Sequence, residues 1–539
     1  MLASDPTIFV GYYPTWKRAQ MQGVDLTKYT HVNIAFASPS ASGAIPIDAW
    51  LNVPDTVKDI HAAGAKALLS IGGWNGSQNF SAIASSPAGS GAMAGAIIDL
   101  VEKYSLDGID IDWEYPGRQG CETFKIDAAN DTPNFLKFLR SLRAGLDAKF
   151  AAKKLITLAV YVQPFSVDGK PMADVSEFAK VVDFANMMQY DINGVWSATT
   201  GPNAPLFCET GKGTQLSFAS AIDAWTAAKW PASQLTAGFA FYGRMAIAAE
   251  DMTGDGAGQY QKQTGVLERG DKDDAPWPDP CTGKTTSSGQ WQWKNLRTQG
   301  VLTTPTEAAA PWVRTWDNTS MTPWLFKPQT KQFISYDDPQ SIKAKADYAA
   351  SKGLAGAMVW SIDMDYNSEL INAVRTWPAR PVSSGVAATG GHSDADDCSE
   401  DAGVGDNSSS LEDDDCVDAT ADHSGTNDGE DDCADTGADS SNTLEASNSS
   451  TTTSSGSNYA TTNGTKPTSS APAGSSSSPG AVATGGACPN GVLYTCDKPG
   501  VEPGYTVCVY GRSTSMQCSP GTVCIAGGSS LSCGYGKDS

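Results

Sequence analysis

The chain has 539 residues, 40% of them hydrophobic and 9% aromatic, enough for a large core and more than one folded unit. Its formal charge of -23 is mostly local, because residues 381–465 carry 19 Asp or Glu and no Lys or Arg; the rest is only mildly acidic. No basic patch supports nucleic-acid binding, nothing favours an anionic membrane surface, and no apolar run reaches membrane-spanning length.

From the N-terminus, apolar runs alternate with helical patterns. The pattern predicts strands at TIFVGYY (7–13), HVNIAFA (31–37), AKALLSIGG (65–73), LDGIDIDWE (106–114), LITLAVYVQ (155–163), VVDFANMMQY (181–190), LTAGFAFYG (235–243) and LAGAMVWSI (354–362). Helices are expected between them, among them MAGAIIDLVEKY (93–104) and TPNFLKFLRSLRAGLDAKF (132–150). Eight strands in β-then-α order argue for an α/β fold, a (β/α)8 TIM barrel over residues 1–380, with a doubly wound open sheet as the competitor. About 110 residues separate the seventh and eighth strands, far more than a βα connection needs, so residues 244–333 read as an inserted α+β subdomain walling one side of the barrel mouth.

Beyond Pro378 the composition shifts to Ser, Thr, Asp, Gly and Asn. Residues 381–487 cannot bury enough apolar surface to offset their ordering entropy and are expected to form a disordered linker. A degenerate repeat places Cys398, Cys416 and Cys433 within it, but its oxygens lack the Gly-centred loop and closing Glu of a calcium-binding hand. Residues 488–539 hold six of the 12 cysteines without C-x-x-C spacing and read as a small disulfide-stapled module. With seven N-x-S/T sequons, at Asn75, Asn79, Asn130, Asn318, Asn407, Asn448 and Asn463, this points to a secreted, extracellular protein. The opening MLASDPTIFV has no signal-peptide pattern and the terminal GYGKDS no lipid-anchor tail.

The chemistry concentrates in DGIDIDWEYP (107–116). Asp110, Asp112 and Glu114 alternate with Ile109, Ile111 and Trp113, so the three carboxyls share one strand face. An inward row of acids shifts pKa values upward and forces a shared proton. Pairing with buried Arg or Lys is disfavoured, because barrel interiors normally hold branched apolar residues. At the carboxyl end of the fourth strand Glu114 would face the active-site mouth.

Asp107-Gly-Ile-Asp110-Ile-Asp112-Trp-Glu114 resembles the D-x-x-D-x-D-x-E signature of family 18 glycoside hydrolases, the chitinases. SIGGW (70–74), MQYD (188–191) and GAMVWSIDMD (356–365) are similar to the family's third-, sixth- and eighth-strand motifs, and FYGR (241–244) and FISYDD (333–338) to the borders of the insertion in one branch. The resemblance spans about residues 7–378 and implies hydrolysis of chitin and chito-oligosaccharides without cofactor or metal, by a monomer. Family 18 is a substrate-assisted exception among retaining glycosidases. By that resemblance Glu114 is general acid and base, and Asp112 holds the acetamido N–H and stabilises an oxazolinium ion, with Asp110 sharing a proton behind it. Tyr190 would bind the acetamido carbonyl, Asp191 the distorted sugar, and Trp360 would floor that sugar over Met188. Tyr12 and Ser70 would contact Asp110; Trp74 and Trp196 would stack on leaving-side sugars; Phe36, Tyr242 and Arg244 complete the expected substrate contacts. Where the family often has Glu, this chain has Ser197. The tail is weakly similar to small chitin-binding modules of modular fungal chitinases, with Tyr494, Tyr505, Tyr510 and Tyr535 as sugar-stacking or core residues. Two alternatives are a chitinase-like lectin, which would lose the acid, and an endo-β-N-acetylglucosaminidase, which shares it.

Overall fold

The computed structural model describes residues 7–254 and 257–377 and parts of 492–534. Eight strands run Ile8–Pro14 (β1), His31–Ala37 (β2), Lys66–Gly72 (β3), Gly108–Asp112 (β4), Leu155–Val160 (β5), Phe184–Met187 (β6), Leu235–Ala240 (β7) and Gly356–Trp360 (β8). Each pairs in parallel with its neighbours, and β8 closes on β1 through Ile8 to Gly11 opposite Gly356 to Val359. This closure makes a (β/α)8 barrel and removes the open-sheet alternative.

Alternation along the strands sorts the side chains. Val32, Ile34, Leu69, Ile71, Ile109, Ile111, Ile156 and Leu158 point outward into one large core shared with the helices Val53–Ala62 (α1), Pro87–Lys103 (α2) and Asp131–Lys149 (α3). The inner face is more polar, with Asn33, Ser70, Asp110, Asp112, Thr157, Asn186 and Thr236 all buried.

The β-then-α order is not strict. Between β1 and β2 the chain makes only 3₁₀ turns, Thr15–Met21 and Leu26–Lys28, with Lys17 at non-helical angles. This connection has no apolar 3.6-residue period and is broken by Gly23. Between β5 and β6 the only α-helix is a single turn, Ser176–Ala179, after a tight hairpin at Ser166–Pro171.

Two strands also stop early. The last rung of β4 is Gly72 opposite Asp112, so Trp113 and Glu114 lie past the strand end and not on it. Likewise β6 ends at Met187, leaving Met188 and Tyr190 in the following loop.

The expected seventh strand divides at Phe241. Residues 235–240 stay in the barrel, whereas Tyr242–Ile247 enters an antiparallel sheet with Gln290–Gln292, Gln332–Ser335, Thr322–Lys327 and Val313–Asp317. Met245, Ile334 and Leu325 join the barrel's core, and the other face buries Ala246, Trp324, Phe326 and Phe333 with Met252.

A second compact unit lies within Glu412–Ser539. Its strands Val492–Cys496, Gly504–Val509 and Arg512–Gln517 form an antiparallel sheet, and Val523–Ala526 pairs with Ser532–Gly534. Cys524 is buried and disulfide-bonded. The acidic 381–487 stretch with its three cysteines, and the tyrosine side chains at 494, 505, 510 and 535, lie outside the described residues.

Candidate active site

Asp110 is fully buried at the centre of the barrel and receives four hydrogen bonds. Tyr12 Oη and Ser70 Oγ each donate to Oδ2 at 2.7 Å, while Thr157 Oγ1 at 2.6 Å and Asn186 Nδ2 at 3.4 Å donate to Oδ1. Burial pushes its pKa up, and the four donors oppose that shift. A carboxylate so surrounded needs no proton to satisfy its lone pairs.

The proton therefore belongs further along the row. Asp112 is 3% exposed and its Oδ1 has no partner. Burial first, then the charges of Glu114 and Asp110, drive its pKa well above the carboxylate range. Two residues on, Glu114 is half-buried, and its pKa is pushed up to about 7 by burial and by the charge of Asp191, against a hydrogen bond from Tyr115. Its backbone N–H donates to Ser77 Oγ at 2.9 Å, and Trp113 anchors the turn by packing outward between Phe80 and Phe135. Gly72 makes the turn possible: its φ is +113°, and a Cβ there would meet the Asp112 carbonyl oxygen at 2.0 Å.

On one side of the acids lies an aromatic floor. Tyr12, Phe36, Met188, Tyr190 and Trp360 share one cluster with Val10, Ala35, Phe184 and Met358. Phe36 and Trp360 stack with ring centres 5.5 Å apart and planes 13° from parallel. Trp16 extends this floor, stacked on Phe36 at 6.1 Å and 50% exposed.

Next to Tyr190 of the floor, Asp191 sits at a left-handed φ of 58° and accepts from Arg244 Nε at 2.8 Å. The Arg244 guanidinium lies 5.4 Å from the Trp196 ring centre and 5.2 Å from that of Tyr242, whose ring meets Tyr190 edge-on at 6.1 Å. Trp196 and Trp74 are 57% and 41% exposed. Trp74 follows Gly73, whose backbone packs on the Phe36 ring, but among the described residues no aromatic ring stacks on it. Ser197 Oγ closes its own turn by accepting from the Gly194 N–H at 3.3 Å.

Thus Asp110, Tyr12 and Ser70 meet in one network, with Asp112 and Glu114 following it along the row, Phe36, Met188, Tyr190 and Trp360 form the floor, and Asp191, Trp196, Tyr242 and Arg244 a third group. Four contributors escaped the sequence reading. Thr157 and Asn186 are polar residues at inward positions of apolar strands, a period-two signal that could have marked them. Ser77 and Trp16 follow strand ends and carry no periodicity.

Two carboxyls at the mouth of a barrel, both with raised pKa values and that of Glu114 at about 7, beside an aromatic surface, are the equipment for acid–base cleavage of a sugar bond. A sequence profile of the glycosyl hydrolases family 18 matches residues 8–365. The chain is a family 18 glycoside hydrolase. A "chitinase-like effector" of Moniliophthora roreri is 35% identical over 378 residues, covering 68% of this glycoside hydrolase and 91% of that protein. Chitinase A1 of Niallia circulans is 29% identical, covering 69% and 58%. Among solved structures, a chitinase from Rhizomucor miehei aligns with a TM-score of 0.63 at 32% identity over 68% of this hydrolase and 99% of that chain.

Proposed function

We propose that this hydrolase cleaves β-1,4 bonds between N-acetylglucosamine units of chitin with retention, using the substrate's own acetamido oxygen as nucleophile. The observation that carries this reading is the contrast within the acidic row. Asp110 is saturated by four donors, whereas the neighbouring Asp112 keeps a buried oxygen without a partner beside Glu114. Such an oxygen is stabilised by a donor that arrives with substrate, and an acetamido N–H is one.

In this reading Glu114 donates its proton to the departing glycosidic oxygen while the acetamido carbonyl oxygen attacks the anomeric carbon. Tyr190 steadies that carbonyl, and Asp112, its proton passed to Asp110 behind it, accepts the amide N–H and balances the positive charge of the oxazolinium ion. Glu114, now a carboxylate, takes a proton from water as it opens the ion. Trp360 supports the sugar from below, and Asp191, aligned by Arg244, holds its hydroxyls. The names of the relatives support the substrate: endochitinase 1 of Metarhizium robertsii and chitinase 1 of Aphanocladium album are 26% and 27% identical. Exposed aromatic residues, with Trp196 the most open at 57%, suit a flat-faced polymer.

We further take the enzyme to act outside the cell, a reading supported by the Cys121–Cys281 disulfide and the sequons, and, by the family resemblance alone, as a monomer. Its tail is read as a tether, residues 381–487, and a chitin-binding module, residues 488–539.

The decisive experiment compares colloidal chitin with fully deacetylated chitosan. Release of reducing ends from the first and none from the second is expected; efficient cleavage between two glucosamine units would overturn substrate assistance. The same assay separates the lectin alternative, against which the retained Glu114 speaks: adsorption to chitin without any reducing ends.

A further inference from the structure

A disulfide joins two parts of the mouth that the barrel strands hold apart. Cys121 lies in the loop that follows β4 and carries Glu114; Cys281 lies at the tip of a hairpin, Trp277–Pro278 paired with Thr285–Thr286, in the subdomain inserted after β7. In the closed barrel β5 and β6 stand between β4 and β7. The link, spanning 160 residues of sequence, therefore bridges that whole sector.

Both feet are built. Gln119 Nε2 donates to the carbonyls of Cys121 at 2.6 Å and Phe124 at 3.1 Å, and Thr123 Oγ1 donates to Pro280 O at 3.2 Å. Asp279 caps the hairpin tip, accepting from Cys281 N at 2.9 Å and Thr282 Oγ1 at 2.8 Å. Cys121, Phe124 and Cys281 bury one another. The loop then folds back on the acid: a Cβ at Gly120 would lie 2.4 Å from the Glu114 carbonyl oxygen. At the other foot the subdomain's first strand carries Tyr242 and Arg244, and Gln263 Nε2 donates to the carbonyls of Gly194 and Thr199, in the loop after β6, at 2.9 and 3.1 Å.

The floor of Trp16, Phe36 and Trp360 belongs to the turn after β1, to β2 and to β8, across the barrel from β5 and β6. In the chitinase reading, a chain laid on that floor with its scissile bond at Glu114 would carry its leaving-group end across the barrel towards β5 and β6, the sector that the disulfide bounds. We propose that the Cys121–Cys281 hairpin is a strap that bounds the leaving-group end of the groove and makes the enzyme select by chain length. This rests on the chitinase reading above. Fixing two loops before substrate arrives removes their ordering cost from binding, and only an oligomer long enough to reach the strap gains from it.

The test is made on the full chain carrying Cys121→Ser and Cys281→Ser, with its fold checked by circular dichroism. Steady-state constants are measured for chitohexaose and for a nitrophenyl chitobioside, whose leaving group is too short to reach the strap. The expected result is a rise in KM for the hexamer of about fivefold or more, with its kcat and both constants of the aryl substrate within about twofold. A second variant, with residues 279–284 replaced by an Asn-Gly turn and Cys121→Ser, should reproduce that split. Equal changes for both substrates, or none, overturn the strap while leaving the chitinase reading intact. Failure of the parent chain to turn over either substrate overturns that reading, and the strap with it.

Discussion

In the proposed mechanism Glu114 is the group whose protonation decides the rate, and its environment sets where that happens. Because general acid–base catalysis is worth about 10²–10⁴-fold, Glu114→Gln should lower kcat by at least the upper part of that range while oligosaccharide binding persists; residual turnover within about tenfold of the parent would remove Glu114 from its role. With its pKa pushed up to about 7, the acid is charged and inactive above that pH, so kcat/KM should fall on the alkaline side of about 7. Since the Asp191 charge raises this pKa, Asp191→Asn should move the alkaline limb to lower pH, whatever it does to the height of the profile. The same shift has a sign for stability. The folded state holds the Glu114 proton over a range in which an unfolded glutamate has lost it, so the carboxyl favours folding least at the alkaline end, and stability declines as pH rises from the ordinary glutamate value of 4.5 towards about 7. Urea midpoints should follow that slope in the parent and follow it less steeply in Glu114→Gln.

At the scale of strands, the Asp110 cradle is the element-to-element contact most open to test. Thr157 on β5 supplies its shortest hydrogen bond, and a bond to a charged group is worth about 1.5–3 kcal/mol. Thr157→Val keeps the shape and removes the donor, so unfolding in urea should show a loss of about 2 kcal/mol; an unchanged midpoint would mean that water replaces the hydroxyl. How legible these elements were in the sequence follows from what bounds them. HVNIAFA is a strand from His31 to Ala37 as its residues suggested, because both of its faces are covered and the apolar run is the strand. In LDGIDIDWE the apolar alternation continues through Trp113 although the pairing partner has run out at Gly72, so the pattern overshot the strand end and placed Glu114 on it. The acids themselves were readable because charge at inward positions has no structural excuse. Trp16 was not, since a half-exposed tryptophan in a turn has no period, and neither was the disulfide, whose halves lie 160 residues apart with no local pattern to pair them.

Over the whole chain, the tail should matter only at a surface. A tethered binding module raises the local concentration of a bound enzyme on an insoluble polymer but does nothing for a short soluble chain. Truncation after Arg380 should leave hydrolysis of soluble chito-oligosaccharides within about twofold and weaken adsorption to crystalline chitin about tenfold or more; equal adsorption by the truncated barrel would deny the C-terminal unit its binding role. The barrel, for its part, is tied together at the two carboxyl oxygens of Asp110. The four donors to Asp110 come from β1, β3, β5 and β6, at sequence distances of 98, 40, 47 and 76 residues. A sheet with only some of those strands in place would hold a dehydrated carboxylate with too few partners, a state less favourable than either the solvated unfolded chain or the finished ring. Half-assembled barrels are thereby disfavoured, and the buried Asp110 couples closure of the ring to the presence of four strands at once.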